Sequence, residues 1–413
     1  MRIVSIIVLA LAALAGLGCV HYYWPRPLLL PAPGIAQIID ISANATSVSV
    51  PDRVLIGELA QFDDGLFAFL MFDYLRGRPA LAGSAIMLTS HEEQGRPIYH
   101  ILLRLPDDLI SGVDFLAQLK ADRLASSVRY DWILRSKLNS YLHETSVFFQ
   151  AYNGPATEHL RTLHASELQG YLRRFIRFKS ETDPRIAGTT GPIPSPLTQK
   201  DASRLAADII AVAHFYDLPI ELFVGIGAME NNYMNVAGDI KNTIWKRRAE
   251  PGDIVLRRKR GRVLVRNDSM GVWQITRESL RYAHKLYRRD KRDYTQLPER
   301  LRPPEKLDFN SIDADVLTTY AGLLLRDLLD RFDGDVALAA GAYNGGPAKP
   351  NPHYAEGVET VASYARRVIG RAAAIERLAA EENSISAKKI NAAPGTLQEE
   401  PRTSANGDVR KPD

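Results

Sequence analysis

Residues 224–239 read V-G-I-G-A-M-E-N-N-Y-M-N-V-A-G-D, an apolar run with glycines that reaches an acidic side chain at Glu230. Pro219 is tolerated in a first helical turn, so we expect a helix that starts near this residue. On that helix Phe223 and Glu230 are seven residues apart and share the face that should point to the core. Burial and the negative end of the helix dipole both disfavour the charged form of the carboxyl group. Glu230 is therefore a candidate general acid with a raised pKa. The alternative is that it caps the helix or pairs with an arginine and has only a structural role.

The composition is that of a globular protein, since 46% of the 413 residues are hydrophobic and 24% are charged. This length is enough for two domains of ordinary size. A formal net charge of +4 suggests affinity for anionic surfaces, but it does not identify nucleic acid. The single cysteine, Cys19, excludes an internal disulfide and a cysteine-rich metal site.

Residues 1–24 have the pattern of an export segment. Met1-Arg2 provides a short positive start, and an apolar run with small residues continues to about Val20. Gly18-Cys19 partly matches the site at which a bacterial lipoprotein is cleaved and acylated, so Cys19 is a candidate for lipidation. An uncleaved membrane anchor, or plain cleavage and release, are the alternatives. All three place the folded part outside the cytoplasm, which argues against nucleic acid as a partner.

The remaining chain divides into regions of different character. Residues 25–182 mix strand-like and helix-like pieces and predict a small α/β region of unknown role. Residues 183–198 carry four prolines and two glycines and predict a linker. Residues 199–379 are mostly helical by periodicity, and their last helix is expected to start at about Glu356. Residues 380–413 are polar and charged without an aromatic side chain, which predicts disorder. The fold class expected for the whole chain is α+β.

Three further segments contain candidate functional side chains. Residues 268–276, D-S-M-G-V-W-Q-I-T, place the amide of Gln274 after a turn glycine. Residues 339–347, A-A-G-A-Y-N-G-G-P, end a helix at Tyr343-Asn344, and residues 359–368 place Tyr364 on an apolar helix face. Each segment alone has a purely structural explanation: a solvated or core-satisfied amide, an Asn-Gly turn and a core tyrosine.

Taken in order, these segments resemble the soluble lytic transglycosylase family, which is goose-lysozyme-like. That family has a helix that ends in a catalytic Glu, a G-L-M-Q-like turn, an A-Y-N-x-G motif and a Tyr on a later helix. The corresponding residues here are Glu230, Gly271 to Gln274, Ala342 to Gly346 and Tyr364. The resemblance covers roughly residues 200–375, under half of the chain.

The resemblance implies a mostly α, lysozyme-like catalytic domain in which Glu230 is the single general acid and then the base. The family cleaves the β-1,4 bond between N-acetylmuramic acid and N-acetylglucosamine in peptidoglycan, and the muramic 6-hydroxyl attacks C1 to give a 1,6-anhydro end. By this resemblance Gln274, Tyr343 and Asn344 would hold the sugar, and Tyr364 would hydrogen-bond Glu230. No metal or other cofactor is needed. The expected partners are glycan strands and, through the N-terminus, a membrane of the bacterial cell envelope, with the folded part periplasmic.

Two other functions remain open on the sequence. A degenerate relative would bind peptidoglycan without cleaving it, and a lysozyme-type hydrolase would begin with the same protonation. A hydrolase that uses two carboxylates needs a partner for Glu230, and Asp239 and Asp268 are available for this by their position in the sequence alone.

The chain departs from the family pattern in two places. Asn231 stands where Ser is expected, and its amide can still hydrogen-bond a substrate. Residues 241–266 lengthen the gap before Gln274 and hold ten Lys or Arg and two acidic residues. Two apolar triplets flank R-R-K-R-G-R in this segment, which predicts a β-hairpin with Gly261 in or beside its turn. The hairpin is either a solvated tip or a surface that lines the cleft and attracts the carboxylates of peptide stems or anionic lipid headgroups.

Overall fold

The computed structural model describes residues 52–155, 160–184, 195–236 and 242–392. The predictions for the export segment, for Cys19, for residues 185–194 of the linker and for residues 393–413 of the tail therefore lie outside the described residues. Asp239 lies outside them as well. Within the described part, the fold is a mixed one of helices and small antiparallel sheets.

The first part of the chain is built on a four-stranded antiparallel sheet with helices around it. These elements are β1 (Arg53–Phe62), α1 (Gly65–Arg76), β2 (Ile86–Glu93), β3 (Arg96–Arg104), α2 (Leu109–Ala121), β4 (Arg129–Leu134), α3 (Arg135–Asn153) and α4 (Ala165–Glu181). The strand order in the sheet is β2-β3-β1-β4. Gln94 and Gly95 both have positive φ (52° and 76°), and this is the backbone geometry that a two-residue hairpin between β2 and β3 requires.

Helices cover both faces of this sheet because successive side chains of β1 alternate between them. On one face, Val54 and Ile56 belong to a buried cluster with Leu138 of α3. On the other face, Gly57 lies so close to Leu116 of α2 that a Cβ on the glycine would be 3.0 Å from the leucine side chain. Residues 25–182 were expected to form a mixed α/β region, and the described part of that range does.

The second part of the chain is mostly helical. Its helices are α5 (Gln199–Phe215), α6 (Ile220–Asn231), α7 (Arg277–Tyr287), α8 (Ala314–Arg331), α9 (Val336–Gly345) and α10 (Pro352–Ala392). Side-chain oxygens cap several of them, as Thr198 does for α5 and Asp335 for α9. No helix in the part of the chain that the structure describes is long and apolar enough to cross a membrane.

The β-hairpin predicted within residues 241–266 is present in the structure. β6 (Val255–Lys259) and β7 (Arg262–Arg266) form a hairpin, and its two turn residues, Arg260 and Gly261, both have positive φ. A third strand, β5 (Thr243–Lys246), pairs with the other side of β7. A short ladder of β8 (Ser269–Met270) and β9 (Ile275–Thr276) then encloses the turn before α7.

Two features of the described residues concern the expected boundaries. The described residues up to Ala372 form one compact unit, so the regions on either side of residues 183–198 pack together. The reason is the large apolar face of α4, which packs against α5 and would otherwise be exposed. In addition, residues 380–392 continue α10 as helix. This segment contains neither glycine nor proline to end the helix.

Candidate functional site

The helix that carries Glu230 is buried among other elements because its glycines let them approach closely. A Cβ on Gly225 would lie 2.7 Å from the backbone oxygen of Val358 in α10. A Cβ on Gly227 would lie 2.7 Å from the ring of Tyr233, and Trp273 is the next neighbour. Gly225 and Gly227 therefore set the distance between α6 and the residues that surround its C-terminal end.

The end of α6 is fixed by a tight turn. The residue after the helix, Asn232, has left-handed backbone geometry, as does Tyr233. The hydroxyl of Tyr233 donates a hydrogen bond to the backbone oxygen of Val224 at 2.7 Å, and Nδ2 of Asn231 donates to the backbone oxygen of Met234 at 2.6 Å. Asn231, expected to bind substrate, is buried and serves to hold this turn.

Glu230 lies in the last turn of α6 and is partly buried. Its Oε1 accepts a hydrogen bond of 2.7 Å from the hydroxyl of Tyr354, a residue near the start of α10. Burial raises the pKa of Glu230 to about 7, although the hydrogen bond from Tyr354 acts in the opposite direction. Among the described residues, no Lys or Arg forms an ion pair with Glu230, so an arginine partner does not explain its position. A carboxylic acid that is substantially protonated near neutral pH can donate a proton.

Tyr343 lies beside this acid. Its hydroxyl donates a hydrogen bond of 3.1 Å to the backbone oxygen of Trp273. Burial, and next the negative charge of Glu230, hold the pKa of Tyr343 well above its usual value, so the phenol stays neutral. The fold therefore brings together the end of α6, the turn at Trp273 and the last turns of α9, as the order of the sequence segments suggested.

Gln274 contributes to the site through its own turn. Gln274 has positive φ (46°), and its Nε2 donates to the backbone oxygens of Gly271 at 2.7 Å and Val236 at 3.2 Å. Its Oε1 accepts from the hydroxyl of Ser269 at 2.8 Å. One bond of the amide therefore closes the turn on Gly271, and the other ties the turn to Val236 in the segment that follows α6. The sugar-holding role of Gln274 was implied by the family resemblance, whereas the residue pattern alone favoured a solvated or core-satisfied amide.

The expectation that Tyr364 hydrogen-bonds Glu230 is wrong. Tyr364 donates its hydroxyl hydrogen to Oδ2 of Asp73 in α1 at 3.0 Å. Desolvation raises the pKa of Asp73, and the bond from Tyr364 partly offsets this. Tyr364 therefore connects α10 to the first part of the chain, and the role expected of it belongs to Tyr354.

Asn344 is exposed at the end of α9 and is linked to Tyr354 through Asn351. Nδ2 of Asn351 donates to Oδ1 of Asn344 at 2.9 Å, and Oδ1 of Asn351 accepts from the backbone N–H of Tyr354 at 3.3 Å. The sequence analysis singled out neither Asn351 nor Tyr354. The signal that points to them is Asn351-Pro352, because Asn is a favoured cap and Pro a favoured first residue of a helix.

A second carboxylate for a two-acid mechanism is not provided by Asp268. This residue is buried, and its Oδ1 accepts from Nε of Arg277 at 3.0 Å and lies 3.3 Å from Nε of Arg266. Among the residues that the structure describes, no group of three or more His, Cys, Asp and Glu side chains is placed to hold a metal ion.

The two tyrosines of α10 provide a test of which one acts on Glu230. We expect Tyr354→Phe to raise the pKa of Glu230, because it removes the one hydrogen bond that lowers it, and Tyr364→Phe to leave that pKa unchanged. The titration of the Glu230 side-chain carbon, followed by carbon-13 NMR with Glu230→Gln for assignment, measures this directly. An equal shift in both variants would contradict the geometry.

Comparison with known proteins gives no relative. No protein-family model matches the chain, and neither a curated protein nor a solved structure matches it. The side chains around Glu230 are therefore the basis on which a function can be assigned.

Proposed function

We propose that the chain is a peptidoglycan lytic transglycosylase with Glu230 as its general acid and base, on a lysozyme-like helical domain. The observation that carries this proposal is the state of Glu230: a partly buried carboxyl with a pKa of about 7 and a tyrosine hydroxyl as its partner. Support also comes from the way in which Tyr343 and the turn at Gln274 gather around the end of α6.

In the proposed reaction, protonated Glu230 gives its proton to the oxygen of the bond between N-acetylmuramic acid and N-acetylglucosamine. That bond breaks, and the N-acetylglucosamine side leaves as an alcohol. The carboxylate then takes the proton of the muramic 6-hydroxyl while this oxygen bonds to C1, which closes the 1,6-anhydro ring. One residue serves both steps only if its pKa lies near the working pH. Tyr354 holds the carboxyl in place and remains neutral, since burial keeps its own pKa well above the usual value.

A lysozyme-type hydrolase begins with the same protonation and ends with water in place of the 6-hydroxyl. Asp268 contacts two arginines, and this argues against a two-carboxylate hydrolase in which Asp268 assists Glu230. A peptidoglycan-binding module remains the other alternative. One observation favours it, because the amide of Gln274 is occupied within its own turn instead of being offered to a sugar.

The products formed from purified sacculi separate the three possibilities. We expect the full chain to release fragments that end in 1,6-anhydro-muramic acid, identified by mass. Fragments with reducing ends would indicate the hydrolase. Binding to sacculi with no soluble fragment at any pH between about 5 and 8, the range that brackets a pKa near 7, would indicate the binding module.

A further inference from the structure

The three-stranded sheet of β5, β6 and β7 presents a basic surface that the proposed site does not use. β6 is an edge strand, and each of its five residues is exposed. Because Lys246 pairs with Val263, the residues after β5 lie at the same end of the sheet as the hairpin turn. Seven exposed cations therefore gather there, and we call them the basic tip: Arg247, Arg248, Arg257, Arg258, Lys259, Arg260 and Arg262.

The fold neutralises the other cations of this sheet and leaves the basic tip without acidic partners. Lys246 contacts Glu250, Asp253 and Glu278. Arg266 lies 3.3 Å from Asp268. In contrast, none of the seven cations of the basic tip forms an ion pair with another described residue, and residues 254–266 contain no acidic side chain. Cations held this close without counter-charge repel one another, and a negatively charged surface would relieve this repulsion.

Large apolar side chains are exposed on the same sheet. Leu256 is 52% exposed, Trp245 is 39% exposed, and Ile254 and Val255 are each 36% exposed. The register pairs Trp245 with Leu264 and Leu264 with Arg257, which places an indole, an isobutyl group and a guanidinium in one row on the face opposite the buried Val263. Aromatic and basic side chains in one row are typical of surfaces at the headgroup level of a bilayer.

We propose that the basic tip docks on a lipid bilayer with anionic headgroups, and that Trp245 and Leu256 enter the headgroup region. Carboxylates of the cell wall could also neutralise the cations, but they offer nothing to the exposed apolar side chains. A bilayer surface with anionic lipids satisfies both. The docking is separate from the proposed glycan cleavage, and its test depends on lipid binding alone.

Co-sedimentation of the full chain with vesicles tests the proposal. The vesicles are phosphatidylcholine alone or phosphatidylcholine with phosphatidylglycerol, and the variant is Arg257→Gln/Arg258→Gln/Lys259→Gln/Arg260→Gln. We expect the variant to bind the anionic vesicles at least about tenfold more weakly than the parent, because each cation near such a surface contributes appreciably to binding. Binding to the neutral vesicles, which reports the apolar contributions, including any from residues 1–24, should be equal for the two proteins.

A matched control removes four exposed cations elsewhere, in Arg288→Gln/Arg289→Gln/Lys291→Gln/Lys306→Gln. This control should retain the binding of the parent to anionic vesicles. Added salt should weaken the binding of the parent and bring it close to that of the first variant. Leu256→Ser should lower the binding that remains at high salt, since that part is apolar.

Circular dichroism establishes that the variants fold, and the exposed positions of the substituted side chains make this the expected result. Equal binding of the parent and the four-cation variant to anionic vesicles would overturn the proposal. A variant that keeps its lipid binding but loses its binding to sacculi would also overturn it, and would assign the basic tip to the cell wall.

Discussion

Glu230→Gln is expected to lower the rate of glycan release from sacculi by a factor of about 10² to 10⁴, the usual contribution of a positioned general acid and base. The amide has the size of the carboxyl group and can still accept the hydrogen bond from Tyr354. It cannot donate the proton that the glycosidic oxygen needs, nor take one from the 6-hydroxyl. The change therefore removes the proton transfer with little change in shape.

Glu221→Gln is the matched control, because Glu221 lies in the first turn of the same helix and undergoes the same chemical change. We expect this variant to retain activity within a factor of about two, as surface substitutions away from special features do. A Glu230→Gln variant as active as the parent would mean that the acid of this protein is a different residue. A loss of activity in both variants would mean that the substitutions disturb α6 as a whole and do not act through the proton of Glu230.

The free energy of unfolding of the parent, compared with that of Glu230→Gln, depends on pH in a way that tests the raised pKa without any substrate. The pKa of Glu230 is about 7 in the folded chain, against 4.5 for an ordinary glutamate. The folded state thus binds the proton more tightly than the unfolded state. The stability from the protonated group is complete below the unfolded pKa and is lost as the pH rises through the folded one. We expect the free energy of unfolding of the parent, relative to Glu230→Gln, to fall by at most about 3 kcal/mol over this range, less where water reaches the partly exposed carboxyl.

The sequence predicted the parts of the site that depend on local pattern. Helical spacing placed Glu230 near the C-terminal end of a buried helix, and α6 has that form. Two apolar triplets that flank R-R-K-R-G-R predicted the hairpin, whose turn at Gly261 follows from the backbone freedom of glycine. Both features are decided within a few residues of the chain, which is why the sequence alone is sufficient.

Which side chain hydrogen-bonds Glu230 depends on how α6 and α10 cross. Local sequence patterns do not determine that crossing. Gly225 contacts Val358, and Gly357 lies against Met229, so α6 and α10 run in opposite directions at their crossing. Tyr354, four residues before Val358, therefore lies at the end of α6 that carries Glu230. Tyr364 lies past the crossing on the far side. The later helix start expected at about Glu356 also left Tyr354 outside the helix.

The packing of the regions on either side of residues 183–198 has a similar origin. Proline and glycine in residues 183–198 indicate where regular structure stops, but they do not tell whether the elements on either side pack together. The apolar face of α4 decides this, because Gln169 on α4 donates to the backbone oxygen of Ser203 on α5 at 3.1 Å and the two helices share a buried surface.

Trp273→Ala is expected to cost about 3 to 5 kcal/mol in the free energy of unfolding, the range for a large aromatic side chain removed from a core. Trp273 is fully buried, its ring stacks on Phe223 with centroids 4.1 Å apart, and its Nε1 donates to Oγ1 of Thr318 at 3.0 Å. The substitution leaves a cavity between α6 and α8 and an unsatisfied hydroxyl at Thr318. Denaturation by urea, followed by circular dichroism at 222 nm, measures the loss.

Trp245→Ala is the control for this change, because it removes the same side chain from a position that is 39% exposed. We expect a cost below about 1 kcal/mol there, since most surface substitutions stay near that level. If Trp273→Ala does not fold, Trp273→Phe keeps a ring against Phe223 and removes the hydrogen bond to Thr318. It should fold and lose about 1 to 3 kcal/mol. Equal losses at the two tryptophans would contradict the packing of α6 against the turn that carries Gln274. Because the backbone oxygen of Trp273 also accepts the hydrogen bond of Tyr343, that packing is what holds the turn beside Glu230.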